Sequence, residues 1–298
     1  MSFSTDVKTE LCEIRSDGAA AEAECYGMLC LCRSFSLNKI LLQTGCLQVA
    51  EHFVSLLRRA FDIIAFVKAG GSKVPTFTVE ITGLADRKRI FNRLGLKADD
   101  PPPSVNTTLL MRESWMQAFV RGAFLAGGSV SDPEKEYRAD FSFRHPQTAE
   151  DLKKILDARE IVLNPTVRAG KYLIYTKNSE TLEDLLTFMG AGNETLNLIG
   201  VKVMKSVRNR LNRQNNFETS NILKTADTAY LQTRAIKKLQ QAGRLATLPE
   251  ELYEVATLRL EYPDASLAVL SRMSKAGLTR SGFNHRMKKL LELAENIK

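Results

Sequence analysis

Phe119-Val120-Arg121-Gly122-Ala123-Phe124-Leu125-Ala126-Gly127-Gly128-Ser129-Val130 reads as the end of an apolar helix that breaks at a Gly-Gly pair before an extended segment. Ala118, Gly122 and Ala126 recur at every fourth position, so one face of this helix presents almost no side chain. Such a face lets a second backbone approach closely. A helix built this way expects a partner of the same kind. Ala23 and Gly27, 95 residues upstream, supply it.

The same offset aligns Leu57–Asp62 with Leu152–Asp157, and Phe77-Thr78-Val79 with Tyr172-Leu173-Ile174. It also aligns Ile90-Phe91 … Leu94-Gly95 with Leu185-Leu186 … Met189-Gly190. Matches at several places in one register indicate an internal duplication. The strands around Leu37–Thr44 and Arg138–Arg144 do not follow that register, which requires a compensated insertion. Periodicity predicts, in the first half, a helix over Ala21–Arg33, a strand over Lys39–Thr44 and a helix over Leu47–Phe61. Strands Ile63–Lys68 and Thr76–Thr82 and a helix over Ala85–Leu94 follow. The second half repeats this with helix Ser114–Ala126, strand Arg138–Arg144, helix Ala149–Arg159, strands Ile161–Arg168 and Tyr172–Thr176, and helix Ser179–Met189. Glycine-containing hairpin turns fall at 69–73 and 169–171, and Asp99–Ser104 is a stiff, proline-rich connector. The predicted class is α+β: a duplicated αββαββα domain plus a small all-α domain. Its parts span 1–95, 96–110 (connector), 111–190, 191–245 (basic helical linker) and 246–298.

The chain has 298 residues, 44% apolar and 26% charged, ordinary for a soluble globular protein. It has no apolar run long enough for a membrane span and no leader pattern at its start, so the expected location is cytoplasmic, with no membrane partner. Cys12, Cys25, Cys30, Cys32 and Cys46 include no C-x-x-C pair, and 25, 30 and 32 do not share a helical face. They read as buried, reduced thiols rather than a zinc site. His52 and His145 have no Cys or second His at ligand spacing, so no metal or cofactor is expected. Met189-Gly190-Ala191-Gly192-Asn193 follows a helix, not a strand, and reads as a helix C-cap rather than a phosphate loop.

The net charge of +8 is localised: between Gly200 and Leu245 there are ten basic residues against Glu218 and Asp227, and the rest of the chain balances. A basic block on a neutral body is the footprint of a polyanion partner. Within it, Arg208-Asn209-Arg210-Leu211-Asn212-Arg213-Gln214-Asn215-Asn216 packs polar side chains around one leucine. Arg208, Arg210, Asn212, Arg213, Asn215 and Asn216 suit phosphate contacts and adenine edges; an Asn-rich loop capping helices on either side is the other reading.

Three short helices follow Leu248. Ser266 and Thr279 are placed to cap the second and third. Leu252, Val255 and Ala256, then Leu267, Leu270 and Met273, then Phe283, Met287 and Leu290 form the expected core. The third helix would then expose Arg280, Ser281, Asn284, His285, Lys288 and Lys289, the composition of a helix-turn-helix recognition helix. This part resembles the promoter-reading domain of sigma factors.

Two halves, each opening on a small-faced helix ending near Gly-Ser, resemble the LAGLIDADG homing endonucleases. In that family the acids at the ends of the paired helices hold divalent metal for phosphodiester cleavage. Here Leu125 and Gly127 stand at the acid positions of the second half, and Cys30 and Cys32 at those of the first. Neither apolar residues nor thiols suit a hard cation, so the scaffold is expected to be retained and catalysis lost. A degenerate LAGLIDADG domain followed by a helix-turn-helix is similar to the bacterial WhiA family. That resemblance covers nearly the whole chain and is most specific over Arg121–Pro133, Arg208–Lys224 and the last 32 residues. It implies a non-enzymatic, nucleoid-associated partner of double-stranded DNA in cell division, chromosome segregation and transcription regulation, with the LAGLIDADG part touching DNA or other proteins. The alternatives are a residual metal-dependent endonuclease and an RNA- or protein-binding division adaptor.

Overall fold

The computed structural model describes residues 2–71, 74–96 and 104–297. The connector expected over Asp99–Ser104 therefore lies almost wholly outside the described residues, as do Ser72 and Lys73 of the turn expected over 69–73. The chain divides into two packing units, one ending at Lys205 and the other beginning at Ser206.

The first half of the first unit contains α1 (Phe3–Glu13), α2 (Gly18–Leu31), β1 (Ser34–Phe35), β2 (Ile40–Thr44), α3 (Leu47–Phe61), β3 (Val67–Gly70), β4 (Thr76–Ile81) and α4 (Leu84–Arg93). The second contains α5 (Glu113–Gly127), β5 (Gly128–Val130), β6 (Ala139–Phe143), α6 (Pro146–Asp157), β7 (Asn164–Arg168), β8 (Lys171–Thr176) and α7 (Ser179–Met189). A 50-residue helix, α8 (Gly192–Gln241), begins in this unit and ends in the second, which adds α9 (Glu250–Glu261), α10 (Leu267–Met273) and α11 (Arg280–Glu295). Each half forms a four-stranded antiparallel sheet, in the orders β1-β2-β4-β3 and β5-β6-β8-β7. Alternate residues Ile40, Leu42, Val79 and Ile81 of one sheet, and Ala139, Phe141, Phe143 and Ile174 of the other, are buried.

The α+β duplication expected from the sequence is present, with three differences. Helix α1 was not foreseen; Ser2 caps it and Val7 and Leu11 bury its inner face. The strand expected from Ile63 starts only at Val67, and its counterpart expected from Ile161 starts only at Asn164. Ile63 and Ala65 are buried and alternate with exposed Ile64 and Phe66, a strand-like period, but pairing with β4 begins at Val67. The third concerns register. The offset of 95 holds at Ile81 and Thr176, but their β-partners Ile40 and Ala139 are 99 apart. The same 99 superposes buried Val49, Ala50, Phe53, Leu56 and Leu57 of α3 on Thr148, Ala149, Leu152, Ile155 and Leu156 of α6. The match of Leu57–Asp62 with Leu152–Asp157 is therefore one helical turn out of register.

At the centre, α2 and α5 cross with their bare faces together. A Cβ on Gly27 would lie 2.8 Å from the Ala123 amide nitrogen, and one on Gly122 would lie 2.8 Å from the Glu24 carbonyl carbon. Only glycine permits this approach. Tyr26, Met28, Phe119 and Phe124 close around the crossing with no exposed surface. Beside it sits a polar cluster inside the core. The carboxylate of Glu24 accepts from Arg121 Nη2 at 2.9 Å, from the Ser16 hydroxyl, and pairs with His52 Nε2 at 2.7 Å. Arg121 also donates to the Met189 carbonyl, which ties the crossing to the αL-capped end of α7 at Gly190. The helix C-cap expected at Met189-Gly190 is thus present.

Candidate nucleic-acid interface

The positions at which the sequence reading placed lost acids, Cys30, Cys32, Leu125 and Gly127, are packed shut. Leu125 has no exposed surface. A Cβ on Gly127 would meet Leu31 Cδ2 at 2.6 Å and the Ser142 carbonyl oxygen at 3.1 Å, so Leu31 fills the space an acid would need. Burial raises the Cys30 thiol well above its ordinary value. It pushes Cys32 up to about 12, against smaller opposing contributions from backbone hydrogen bonds and Arg144. Cys32 Sγ donates to the Ser34 carbonyl at 2.9 Å, as a protonated thiol does. A hard divalent cation requires oxygen donors in a rigid cradle, and these four side chains offer none. They do not fit the metal that the nuclease fold implies. Among the described residues no group of three or more His, Cys, Asp or Glu is arranged to hold a metal ion.

The thiols supply a simple check on this burial. In the native protein Cys32, its thiol pushed by burial from 9.0 to about 12, is expected to react with iodoacetamide on the order of a thousandfold more slowly than in urea, and Cys25 is expected to be slowed as well, because only the thiolate is nucleophilic. Peptide mass spectrometry after timed quenching measures this. Similar native and denatured rates would show that the packing around α2 and its C-terminal end is open.

In the second unit the helix-turn-helix is built as its residue pattern implies. The Ser266 hydroxyl accepts from the Val269 amide and starts α10; the Thr279 hydroxyl accepts from the Gly282 amide at 3.1 Å and starts α11. Between them Gly277 takes φ +63. Glu254 of α9 holds the turn, its carboxylate accepting from the Lys275 amide at 2.5 Å and the Ser274 hydroxyl at 3.1 Å. Phe283, Met287 and Leu290 are fully buried with Leu252, Val255, Ala256 and Leu270. Met273, expected in this core, is 39% exposed because the buried face of α10 runs through Leu270, Ser271 and Ser274, and Met273 lies to one side of it. Ile236 and Leu239 of α8 complete the cluster, so the basic helix is packed into the same unit as the reading head.

This packing leaves Arg280, Ser281, His285, Lys288 and Lys289 exposed on α11, with Asn284 half-buried beside them. Arg208, Arg210, Asn212, Arg213, Asn215 and Asn216 are exposed too, but on a continuous helix; the loop-capping alternative for this segment is not what forms. At about 100° per residue, Arg208, Asn212 and Asn215 share one face of α8, and Arg210 and Arg213 lie on the opposite side. On that second side, further along, Asn221 and Lys224 share a groove of about 530 Å³ with Arg280 and the start of α10. The structure thus brings Arg280 together with Lys224 and Asn221, which the sequence reading had not selected. Their separation along the chain hid the match. Arg259, also missed, is buried and donates to the Pro263 and Ala265 carbonyls at 3.2 and 2.6 Å, fixing the corner between α9 and α10. Burial lowers its pKa.

A duplicated two-sheet scaffold around paired glycine-faced helices, joined to a helix-turn-helix with a basic outer face, defines a LAGLIDADG-like helix-turn-helix protein. Models of the WhiA LAGLIDADG-like domain and the WhiA C-terminal HTH domain match residues 116–208 and 211–294. The chain is 34% identical to probable cell division protein WhiA of Ruminiclostridium cellulolyticum, covering 100% of this chain and 98% of that one. It is also 34% identical to the protein of the same description from Clostridium perfringens strain SM101, covering 100% and 99%. The crystal structure of full-length DUF199/WhiA from Thermatoga maritima shares the fold, with a TM-score of 0.60 at 20% identity over 100% of this chain and 99% of that one. The chain belongs to the WhiA family.

Proposed function

We propose that this chain is a non-enzymatic, sequence-selective binder of double-stranded DNA that acts in cell division, in the cytoplasm on the nucleoid, through transcription or chromosome segregation. One observation carries the DNA reading. The exposed face of α11 is basic and polar while its opposite face is the core, and Arg280 on that helix opens onto the groove that holds Lys224 of α8. Two surfaces divide the work. Ser281, Asn284, His285 and Lys288 are positioned for base edges in a major groove, and Arg210, Arg213, Lys224 and Lys289 neutralise backbone phosphates. The description of the relatives as cell division proteins supports the process. Loss of the acids at Leu125 and Gly127 supports a scaffold that holds DNA or protein partners without cutting, and the purified protein is expected to leave duplex DNA intact in Mg²⁺.

The test uses full-length protein. Replacing Arg210 and Arg213 with glutamine should weaken binding on all sequences alike and reduce the slope of log affinity against log salt by about 0.9 for each phosphate no longer neutralised. Arg208→Gln, on the other face of α8, should change that slope less. Asn284→Ala with Lys288→Ala should cost about 1–3 kcal/mol of discrimination between target and random DNA for each base contact removed. Fluorescence anisotropy across a salt series reads both quantities. A salt-independent affinity would end the DNA reading, and equal losses on target and random DNA for the α11 variant would place readout elsewhere.

A further inference from the structure

The ends of the paired helices carry a charge pattern opposite to that of a metal site. Arg33 follows α2, Arg144 and His145 join β6 to α6, and Lys171 opens β8. All four line one cavity of about 570 Å³, together with Cys30, Cys32, Ser34, Ser36 and Thr148. A second cavity of about 370 Å³ shares Arg33, Arg144 and Lys171 and reaches Gly127, the former acid position itself. Neither lining contains a carboxylate among the described residues. Arg144 and Lys171 form no ion pair with another described residue, and Arg33 has only the neutral Gln43 amide as acceptor.

Two further features point the same way. Helix α6 starts with His145 at its N-cap, where the side chain caps nothing, and Thr148 in its first turn faces the cavity. Helix N-terminal amides attract anions; here Arg144 precedes the cap and Arg33 comes from the end of another helix. The His145 imidazole is held below its ordinary value, first by burial and then by Arg144; the acid whose charge is felt at the cavity wall, at Cys30, is Asp151, which is not part of the lining. Guanidinium groups with an ammonium and free hydroxyls suit tetrahedral oxyanions. The larger cavity lies within the size range of small-molecule sites.

We propose that Arg33, Arg144 and Lys171 hold a phosphate group over the former acid positions, so that a site which holds metal in the nuclease fold takes here the anion directly. The phosphate comes either from a small phosphorylated ligand or from the DNA backbone, and the two sources separate experimentally. In the first arm full-length protein is titrated with pyrophosphate by calorimetry; in the second, with a short random-sequence duplex by anisotropy. The Arg144→Gln, Lys171→Gln double variant is compared with Arg210→Gln, Arg213→Gln on α8, and Arg33→Gln serves as an independent single change at an exposed side chain. Circular dichroism melting confirms that each variant is folded. Saturable pyrophosphate binding that falls at least about tenfold in the double variant and in Arg33→Gln, and persists in the α8 variant, supports the site with a free ligand; that loss matches the removal of charge-assisted hydrogen bonds. No pyrophosphate binding, with duplex affinity falling in the same two cavity variants, supports the site with a backbone phosphate. If neither probe distinguishes folded cavity variants from the parent, the proposal is overturned.

Discussion

Replacing Gly122 with alanine is expected to be among the most damaging single methyl additions in the protein. The new Cβ would stand 2.8 Å from the Glu24 carbonyl carbon and 3.1 Å from the Met28 amide nitrogen. All these obstacles are backbone, so no rotamer change relieves them; the helices must separate and the aromatic packing at Tyr26, Phe119 and Phe124 loosens. Alanine improves helix propensity by up to about 1 kcal/mol, but overpacking costs about 1–3 kcal/mol and more where the backbone must shift. The second effect wins, leaving a net loss of about 2–3 kcal/mol and a melting temperature lower by roughly 5–10 °C. Gly200→Ala is the control. Its Cβ meets nothing within 4 Å and its φ is not positive, so it should hold or slightly raise stability. Equal losses in the two variants, measured by scanning calorimetry, would show that the close approach at Gly122 is not the cause.

Removing the carboxylate of Glu24 is expected to cost about 3–5 kcal/mol, the range for breaking a buried pair and leaving its partner charged. Arg121 would keep its hydrogen bond to the Met189 carbonyl but be deprived of the anion at 2.9 Å, inside a site where Glu24 itself has no exposed surface. Burial alone would raise the Glu24 carboxyl; hydrogen bonds from His52 and Arg121 outweigh it and leave it below the ordinary 4.5. The folded state therefore binds this proton less tightly than the unfolded chain does. The resulting stabilisation is fully present above about pH 4.5 and is lost as pH falls below it toward the folded-state value. Glu24→Gln retains the size and one acceptor, so it should be destabilised at pH 7 and show a shallower loss on acidification. Urea unfolding from pH 7 down to pH 3 reads both, and parallel pH profiles for parent and variant would assign the acid sensitivity to other carboxylates.

The residues involved explain why some of this was readable in the chain. Close helix approach needs glycine at one position and small residues one turn away, so Gly27 and Gly122 disclosed the crossing by spacing alone. The caps Ser266 and Thr279 and the buried Phe283, Met287 and Leu290 were equally plain, because capping and i, i+4, i+7 burial act within one helix. The register of α3 against α6 was not plain. A shift of four residues is one helical turn and preserves the amphipathic pattern, so only the β-pairing of Ile40 with Ile81 and Ala139 with Thr176 separates 95 from 99. Ile63–Phe66 has a strand's alternation without a strand's partner, which no local pattern can disclose. Met273 failed because the apolar spacing Leu267, Leu270, Met273 drifts round the helix, and the buried face follows Leu270, Ser271 and Ser274 instead.

For the functional residues the same division holds. The basic block and the α11 face were visible in composition, since charge is additive along the chain, and that Cys30, Cys32, Leu125 and Gly127 carry no carboxylate needed only residue identities. The sequence by itself therefore determined the duplication, the paired helices and the helix-turn-helix. Tertiary structure decided what those parts meet. Folding set Leu31 into the space at Gly127 and buried Glu24 with Arg121 and His52. It joined Lys224 to Arg280, and it brought Arg33, Arg144 and Lys171 from separate segments into one cavity. Each of these depends on contacts between residues distant in the chain, where a shift of one turn or one strand position changes the partner while leaving the local pattern intact.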